Sequence, residues 1–187
     1  AQNRTVTKND YEAYCYLMPP SLGQIKRASI VNDPGGTNRR LALYVISQDR
    51  DGNWKSCNQS IKANLKTWIQ KNKMLNDGVD IFDSKIINVG FTYEAVVDPN
   101  LNSISVLSDV DSRLRDLFSE KLYIGEPLYI NKIYNTINKT IGIVDTVKVN
   151  VEIKTGANYN NLPINIEDIL SKDGSFIKTP KNCILEL

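Results

Sequence analysis

The clearest alternation in the chain runs from Ile87 to Val97. Ile87, Val89, Phe91, Tyr93, Ala95 and Val97 share one face, and Asn88, Gly90, Thr92 and Glu94 lie on the other. A period of two is that of a strand half-buried against a core. Val147, Val149, Val151 and Ile153 alternate in the same way with Lys148, Asn150, Glu152 and Lys154, which predicts a second strand with one solvated face. Gln24–Asn32 and Arg39–Ser47 read as two more strands, joined through a hairpin loop from Asp33 to Asn38 whose proline and glycines suit turn dihedrals. Leu41 to Ile46 is apolar on both faces, as expected of a central strand covered on each side.

Four-residue and three-residue spacings mark the helices. Thr7 and Asp10 form a capping-box pattern ahead of a short helix from Lys8 to Leu17, which Pro19 and Pro20 stop. After a turn at Asp51-Gly52-Asn53, Ile61, Leu65, Trp68 and Ile69 make an amphipathic stripe. Asn58 or Ser60 is placed to cap it, and Met74 and Leu75 to close it before Asn76-Asp77-Gly78. Leu107, Val110, Leu114, Leu117 and Phe118 form a second stripe. Gly125-Glu126-Pro127 restarts a third helix carrying Ile130, Ile133, Tyr134 and Ile137, with Gly142 at its exit. This order predicts an α+β fold, a four-stranded, mostly antiparallel sheet backed by amphipathic helices. Ile61, Leu65, Trp68, Phe91, Leu114, Phe118 and Val149 are expected to meet in one core.

Beyond Thr155 the periodicity fades, apart from a possible short helix at Ile166–Leu170. The expected organisation is therefore a domain over 1–155 and an extended carboxy-terminal arm over 156–187. The arm ends in Phe176, Ile177, Ile184, Leu185 and Leu187, apolar residues that a disordered tail rarely keeps. These five are the candidate interface residues. Two readings stay open: the arm folds back over its own domain, or its strand-like end docks on a neighbouring protein by adding to a sheet edge.

Composition narrows the function. The 187 residues are 41% apolar and 24% charged with a net charge of +2, an ordinary globular balance with no field to steer nucleic acid. No apolar run approaches the roughly 18 residues that span a bilayer, and no signal sequence opens the chain. The chain opens at Ala1 and meets a capping signal within a few residues, so a piece of a longer polypeptide is expected. There is no histidine, which removes the commonest general base and metal ligand.

Other candidate chemistry reads as structural. Cys15, Cys57 and Cys183 form no CxxC pair and are expected to be reduced, buried thiols. Asp109, Asp111, Asp116 and Glu120 are read as a solvated helix face laced by Asp109–Arg113 and Asp111–Arg115 pairs, in preference to a metal site. Gly35-Gly36 lacks the lysine of a phosphate loop. Lys62, Lys66, Lys71 and Lys73 flank Trp68, but Trp68 sits in the apolar stripe and is expected to be core, not a base-stacking platform. The Asn-x-Ser/Thr triplets at Asn3, Asn58 and Asn138 are expected to stay unmodified. No cofactor, metal or catalytic residue is expected.

Several stretches together resemble one family. Arg4 to Glu12 followed by Gly23-Gln24-Ile25 is similar to the opening helix and first strand of the baseplate J-like proteins. The long strand Ile86–Asp98, the segment Val110–Phe118, Ile124-Gly125-Glu126-Pro127-Leu128 and Ile141 to Val147 resemble the elements that follow. The ending Phe176 to Leu187 is similar to the carboxyl termini of the wedge ring subunits of T-even-like contractile-tailed phages. The resemblance implies a structural, non-enzymatic protein of the virion tail baseplate, made late and assembled in the host cytoplasm. It would self-associate, contact other baseplate wedge proteins, and join neighbouring wedges into a ring around the central hub. The alternative is a small-molecule-binding or enzymatic α+β domain, whose sheet and helices would frame a pocket with convergent polar groups.

Overall fold

The computed structural model describes residues 7–32, 40–72 and 78–187. The expected hairpin loop Asp33 to Asn38, Met74 and Leu75, the turn residues Asn76 and Asp77, Lys73 and the opening Asn3 to Val6 lie outside the described residues. The fold is α+β. It divides into two compact units, one of residues 1–85 and 181–183, the other of residues 86–180 and 184–187. The division falls at Lys85, and residues 156–180 and 184–187 are grouped with the second unit.

In the first unit, helix α1 (Lys8–Tyr16) begins with the expected capping box. The Asp10 N–H donates to Thr7 Oγ1 (3.2 Å) and the Thr7 N–H to Asp10 Oδ2 (2.8 Å). Strands β1 (Arg27–Asn32) and β2 (Arg40–Gln48) pair antiparallel, with Arg27 opposite Ile46 and Asn32 opposite Leu41. The short β3 (Trp54–Lys55) pairs antiparallel with the end of β2. Helix α2 (Gln59–Gln70), capped by Asn58 Oδ1 on the Ile61 N–H (2.8 Å), carries the chain back to β4 (Gly78–Asp83), which runs parallel to β2. A parallel neighbour needs such a crossover. The four-stranded, mostly antiparallel sheet is thus present with different members: β3 and β4 take the places expected for the strands after Ile87 and Val147. Leu43 and Val45 on central β2 are fully buried with Ile30, Tyr11, Cys15, Leu65 and Ile69.

β1 is an edge strand, and α1 satisfies its outward donors. Tyr16 Oη accepts from the Ala28 N–H (3.0 Å) and Glu12 Oε1 from the Ile30 N–H (2.9 Å). Glu12 and Tyr16 lie one helical turn apart, matching the two-residue step between outward N–H groups of a strand. Nearby, Gly23 adopts φ +125, and a Cβ there would stand 2.7 Å from Ile61 Cγ1, so only glycine lets the chain pass α2 this closely.

The second unit is built on β5 (Lys85–Val97), all of which but Lys85 belongs to it, in a sheet of order β7-β5-β9. Helix α3 (Ser103–Leu117) starts at Asn102, whose Oδ1 accepts from the Ile104 N–H (3.0 Å). Its buried stripe is Val106, Val110 and Leu114. Leu107, expected on that stripe, is 41% exposed, because the i, i+4, i+8 row through Val106 defines the inward face and Leu107 is turned about 100° from it. The next segment also differs from expectation. Leu128–Tyr129 form strand β6, and helix α4 (Ile130–Asn138) begins after it, so Pro127 precedes a strand instead of opening a helix.

Strand β7 (Ile143–Ile153) pairs antiparallel with β5 from Val89–Ile153 to Val97–Ile143, with two register shifts. Between Glu94–Lys148 and Ala95–Thr146 the extra residue is Val147; between Val96–Asp145 and Val97–Ile143 it is Val144. Each is a bulge that reverses the alternation. Val147 is consequently 60% exposed although sequence places it inward, and Thr146 is buried in its stead, its Oγ1 donating to Asn138 Oδ1 (2.5 Å). Val110, Leu114, Ile133 and Ile137 form the core of this unit, with Phe91, Tyr93, Phe118 and Val149 against it. The expected single core is therefore two, since Ile61, Leu65 and Trp68 belong to the first unit.

Residues 156–187 carry the short helix α5 (Ile166–Ile169) and strands β8 (Phe176–Ile177) and β9 (Cys183–Glu186). β8 pairs with β6, Leu128 opposite Ile177 and Tyr129 opposite Phe176.

Candidate assembly surfaces

The five apolar residues of the arm do not share one exposed surface. Ile177 and Ile184 are fully buried and Leu185 is 1% exposed, while Phe176 and Leu187 are half-buried. Backbone bonds fix the segment from several sides. The Ile130 N–H donates to Ser175 O (2.9 Å), the Ser171 N–H to Phe176 O (2.9 Å) and the Lys178 N–H to Ile169 O (2.6 Å), and Thr179 Oγ1 donates to Glu126 O (2.8 Å). Phe176 packs its ring against Tyr129 at 5.6 Å. Further on, Glu186 accepts from Asn88 Nδ2 (3.3 Å) and lies 3.5 Å from Lys121 Nζ, while Asn88 Oδ1 accepts from the Asn160 N–H (3.0 Å). The segment is bonded to this chain's own residues, and the side chains of Ile177, Ile184 and Leu185 are buried.

All three cysteines are free thiols and buried. Burial, with Glu12 adding to it, pushes the Cys15 thiol up to about 12; burial and then Asp83 push Cys57 up to about 11; burial raises Cys183. A thiol held protonated is a poor nucleophile. Among the described residues no group of three or more His, Cys, Asp or Glu side chains is placed to hold a metal ion. Asp109, Asp111, Asp116 and Glu120 all lie on an exposed face of the chain. The expected Asp109–Arg113 and Asp111–Arg115 pairs do not close to ion-pair distance, and Asp111 accepts instead from Tyr93 Oη (3.3 Å). Trp68 stacks on Tyr14 at 5.0 Å and donates its Nε1–H to Tyr14 O (3.0 Å), so its ring belongs to the core of the first unit. Lys62 is bound to Asp83 at 2.6 Å.

Concavities occur within each unit. In the second unit, an open groove of about 430 Å³ runs between Phe91, Tyr93, Leu114, Arg115, Phe118 and Leu187. In the first, a hollow of about 180 Å³ lies beside Arg40 and Asp80, whose guanidinium and carboxylate are joined at 2.9 and 2.7 Å. At the groove Tyr93 pairs with Asp111, and at the hollow Arg40 pairs with Asp80; Arg115 also lines the groove, and Lys66 and Gln70 the hollow.

Several exposed apolar residues lie in the second unit, near the start of α3 and the start of β7. Ile141 is 80% exposed, Ile104 77%, Val144 66% and Leu101 46%. Gly142 joins them: its φ is +94, and a Cβ on it would approach Leu101 Cδ1 at 2.9 Å and Val106 Cγ2 at 2.7 Å. Its carbonyl accepts from the Asp98 N–H (2.9 Å), tying the turn before β7 to the end of β5. The sequence pattern did not single out Ile104 or Ile141. The available signal was phase, since Ile104 lies off the Val106–Val110–Leu114 row and Ile141 stands between the end of α4 and its exit glycine.

The sequence matches no protein-family model, and no curated protein matches it. In three dimensions the chain is similar to a chain of the anti-feeding prophage baseplate, determined by cryo-electron microscopy and symmetrised six-fold. The TM-score is 0.60 at 9% sequence identity, covering 99% of this chain and 38% of that one. The chain thus spans less than half the length of the protein it resembles, and what the two share is the fold.

Proposed function

We propose that this chain is a structural component of the baseplate of a contractile phage tail or a similar contractile particle. The observation that carries the proposal is the fold: almost the whole chain superposes on part of a baseplate chain from a contractile-tail-like particle. The ordered run of sequence segments similar to the baseplate J-like wedge subunits supports the same reading. On this reading the chain is a wedge subunit's carboxy-terminal part, assembled in the host cytoplasm and carried in the virion. It associates with its own copies and with other baseplate proteins, and so joins neighbouring wedges into a ring. It acts as a scaffold and catalyses no reaction. The lack of histidine and the protonated thiols support that part of the reading.

The test is localisation. Antibodies raised against this chain should decorate one end of the tail in electron micrographs of particles from the producing strain. Deleting the coding segment should leave particles without functional tails. Labelling of free protein only, with intact particles formed in its absence, would overturn the proposal.

A further inference from the structure

A sheet edge presents a row of unpaired donors and acceptors unless something covers it. In the first unit α1 covers β1, by accepting from the Ala28 and Ile30 N–H groups. The other edge, β4, is different. The Ser84 N–H donates to Val45 O (2.9 Å), and Val45 stands opposite Asp83 in the parallel ladder, so the backbone groups of Asp80 and Phe82 face β2. Those of Val79 and Ile81 point away from the sheet. β4 pairs with no strand but β2, and among the described residues no group bonds to the outward N–H and C=O of Val79 and Ile81.

Along β4 lies the hollow of about 180 Å³, with α2 as its other wall. Its apolar lining is Ile69 of α2 with Val79 and Ile81. That is room for one aliphatic side chain, since an engineered cavity of about 150 Å³ holds a benzene molecule. The charge left over at the hollow is positive. Asp80 is the one carboxylate among the described residues that line it, and Arg40 binds it at 2.9 and 2.7 Å, whereas Lys66 has no ion-pair partner among the described residues. We infer that β4 and this hollow form a docking groove for an extended peptide segment of a partner protein, which adds to the sheet as a strand beyond β4. Its main chain pairs with the outward N–H and C=O groups of Val79 and Ile81, one aliphatic side chain enters the hollow against Ile69, and a neighbouring acidic side chain meets Lys66. A docked helix would not serve, because its own backbone groups are already bonded, whereas an extended chain offers donors and acceptors at the two-residue step of β4. The inference stands on the first unit alone and is independent of the baseplate reading.

Two measurements on the full chain test it. Hydrogen exchange followed by NMR should find the Val79 and Ile81 amides of the free chain about 100-fold less protected than those of Asp80 and Phe82. Equal protection would mean that the edge is already covered, and would overturn the inference. The probe for the partner is a phage-displayed library of random decapeptides, selected on the immobilised chain. The peptides recovered should carry aliphatic residues at alternate positions with an Asp or Glu between them, and their binding should bring the Val79 and Ile81 amides into protection. Val79→Pro removes one outward N–H, a change that the free side of an edge strand accommodates, and should weaken these peptides about tenfold or more. Lys66→Glu, at an exposed helix position where the fold is unaffected, should weaken them about tenfold as well. Recovery of no peptide above background, or of peptides that bind both variants as tightly as the wild type, would overturn the inference.

Discussion

Removing residues 176–187 should unfold the second unit, and the structure gives the size of the loss. The deletion takes away Ile177, Ile184 and Leu185, each between 0% and 1% exposed. At about 1.5–3 kcal/mol for each fully buried aliphatic side chain, they contribute on the order of 5–9 kcal/mol. It also removes β8, leaving Leu128 and Tyr129 of β6 without the strand that pairs with them. Each buried donor or acceptor so orphaned costs a further 1–3 kcal/mol or so. A domain's whole stability is about 5–15 kcal/mol, so the truncated unit has little or nothing left. Circular dichroism and hydrogen exchange should show loss of cooperative unfolding and of protection in β5, β7 and α3. The point variant Ile184→Ala should fold, with a loss of about 2–5 kcal/mol in urea. A truncated chain that unfolds cooperatively within about 5 °C of the full chain would refute the reasoning and return the segment to the role of a detachable arm.

Leu114→Ala should cost about 2–5 kcal/mol, because Leu114 is 5% exposed among fully buried Val110, Ile133 and Ile137, while Leu107→Ala should cost under about 1 kcal/mol. Equal losses in urea unfolding would contradict the helix phase. Glu12→Ala should destabilise by about 1–3 kcal/mol and Tyr16→Phe by a similar amount, since each leaves a β1 N–H without its acceptor; unchanged denaturation midpoints would count against α1 as the guard of that edge. Gly142→Ala should lower stability by about 1–3 kcal/mol through its positive φ and the 2.7 Å approach to Val106, and a neutral result in thermal melts would contradict the turn geometry. Asp173 is held down to about 2 by the hydroxyls of Ser171 and then Ser175, below the ordinary 3.8. A depressed carboxylate contributes stability that is complete above the unfolded value and fades as pH falls from about 4 towards 2. Carboxyl titration by NMR should show that Ser171→Ala moves Asp173 back up; an ordinary value in the wild type would refute the contact.

The local elements were legible because local chemistry decides them. Thr7 and Asp10 close a capping box with only their own helix turn, and Ile87 to Val97 alternates as a strand whatever lies across from it. What the sequence could not show is which segments meet. β4 was missed because Gly78 to Asp83 carries no clean alternation and is half-buried along most of its length, as a parallel strand under a crossover helix can be. Pro127 reads as a helix start until β8, some fifty residues later in the chain, arrives to pair with Leu128. The two bulges in β7 are likewise set by register against β5, and alternation within Val147 to Ile153 contains no trace of them.

The same distinction separates two sets of apolar residues. Apolar residues without period, as at Phe176 to Leu187, establish only that something covers them. In this chain β6 pairs with β8, β9 lies beside β5, and the carboxylate of Glu186 meets Asn88 and Lys121, so the cover is intramolecular. Ile104 and Ile141 present the reverse case. They stand within or beside periodic segments, which led to their neighbours being read as core, yet the phase of α3 and the turn at Gly142 leave them in water. Which apolar residues are buried and which stay in water is therefore decided by helix phase and strand register, which are tertiary properties, more than by where apolar residues fall in the sequence.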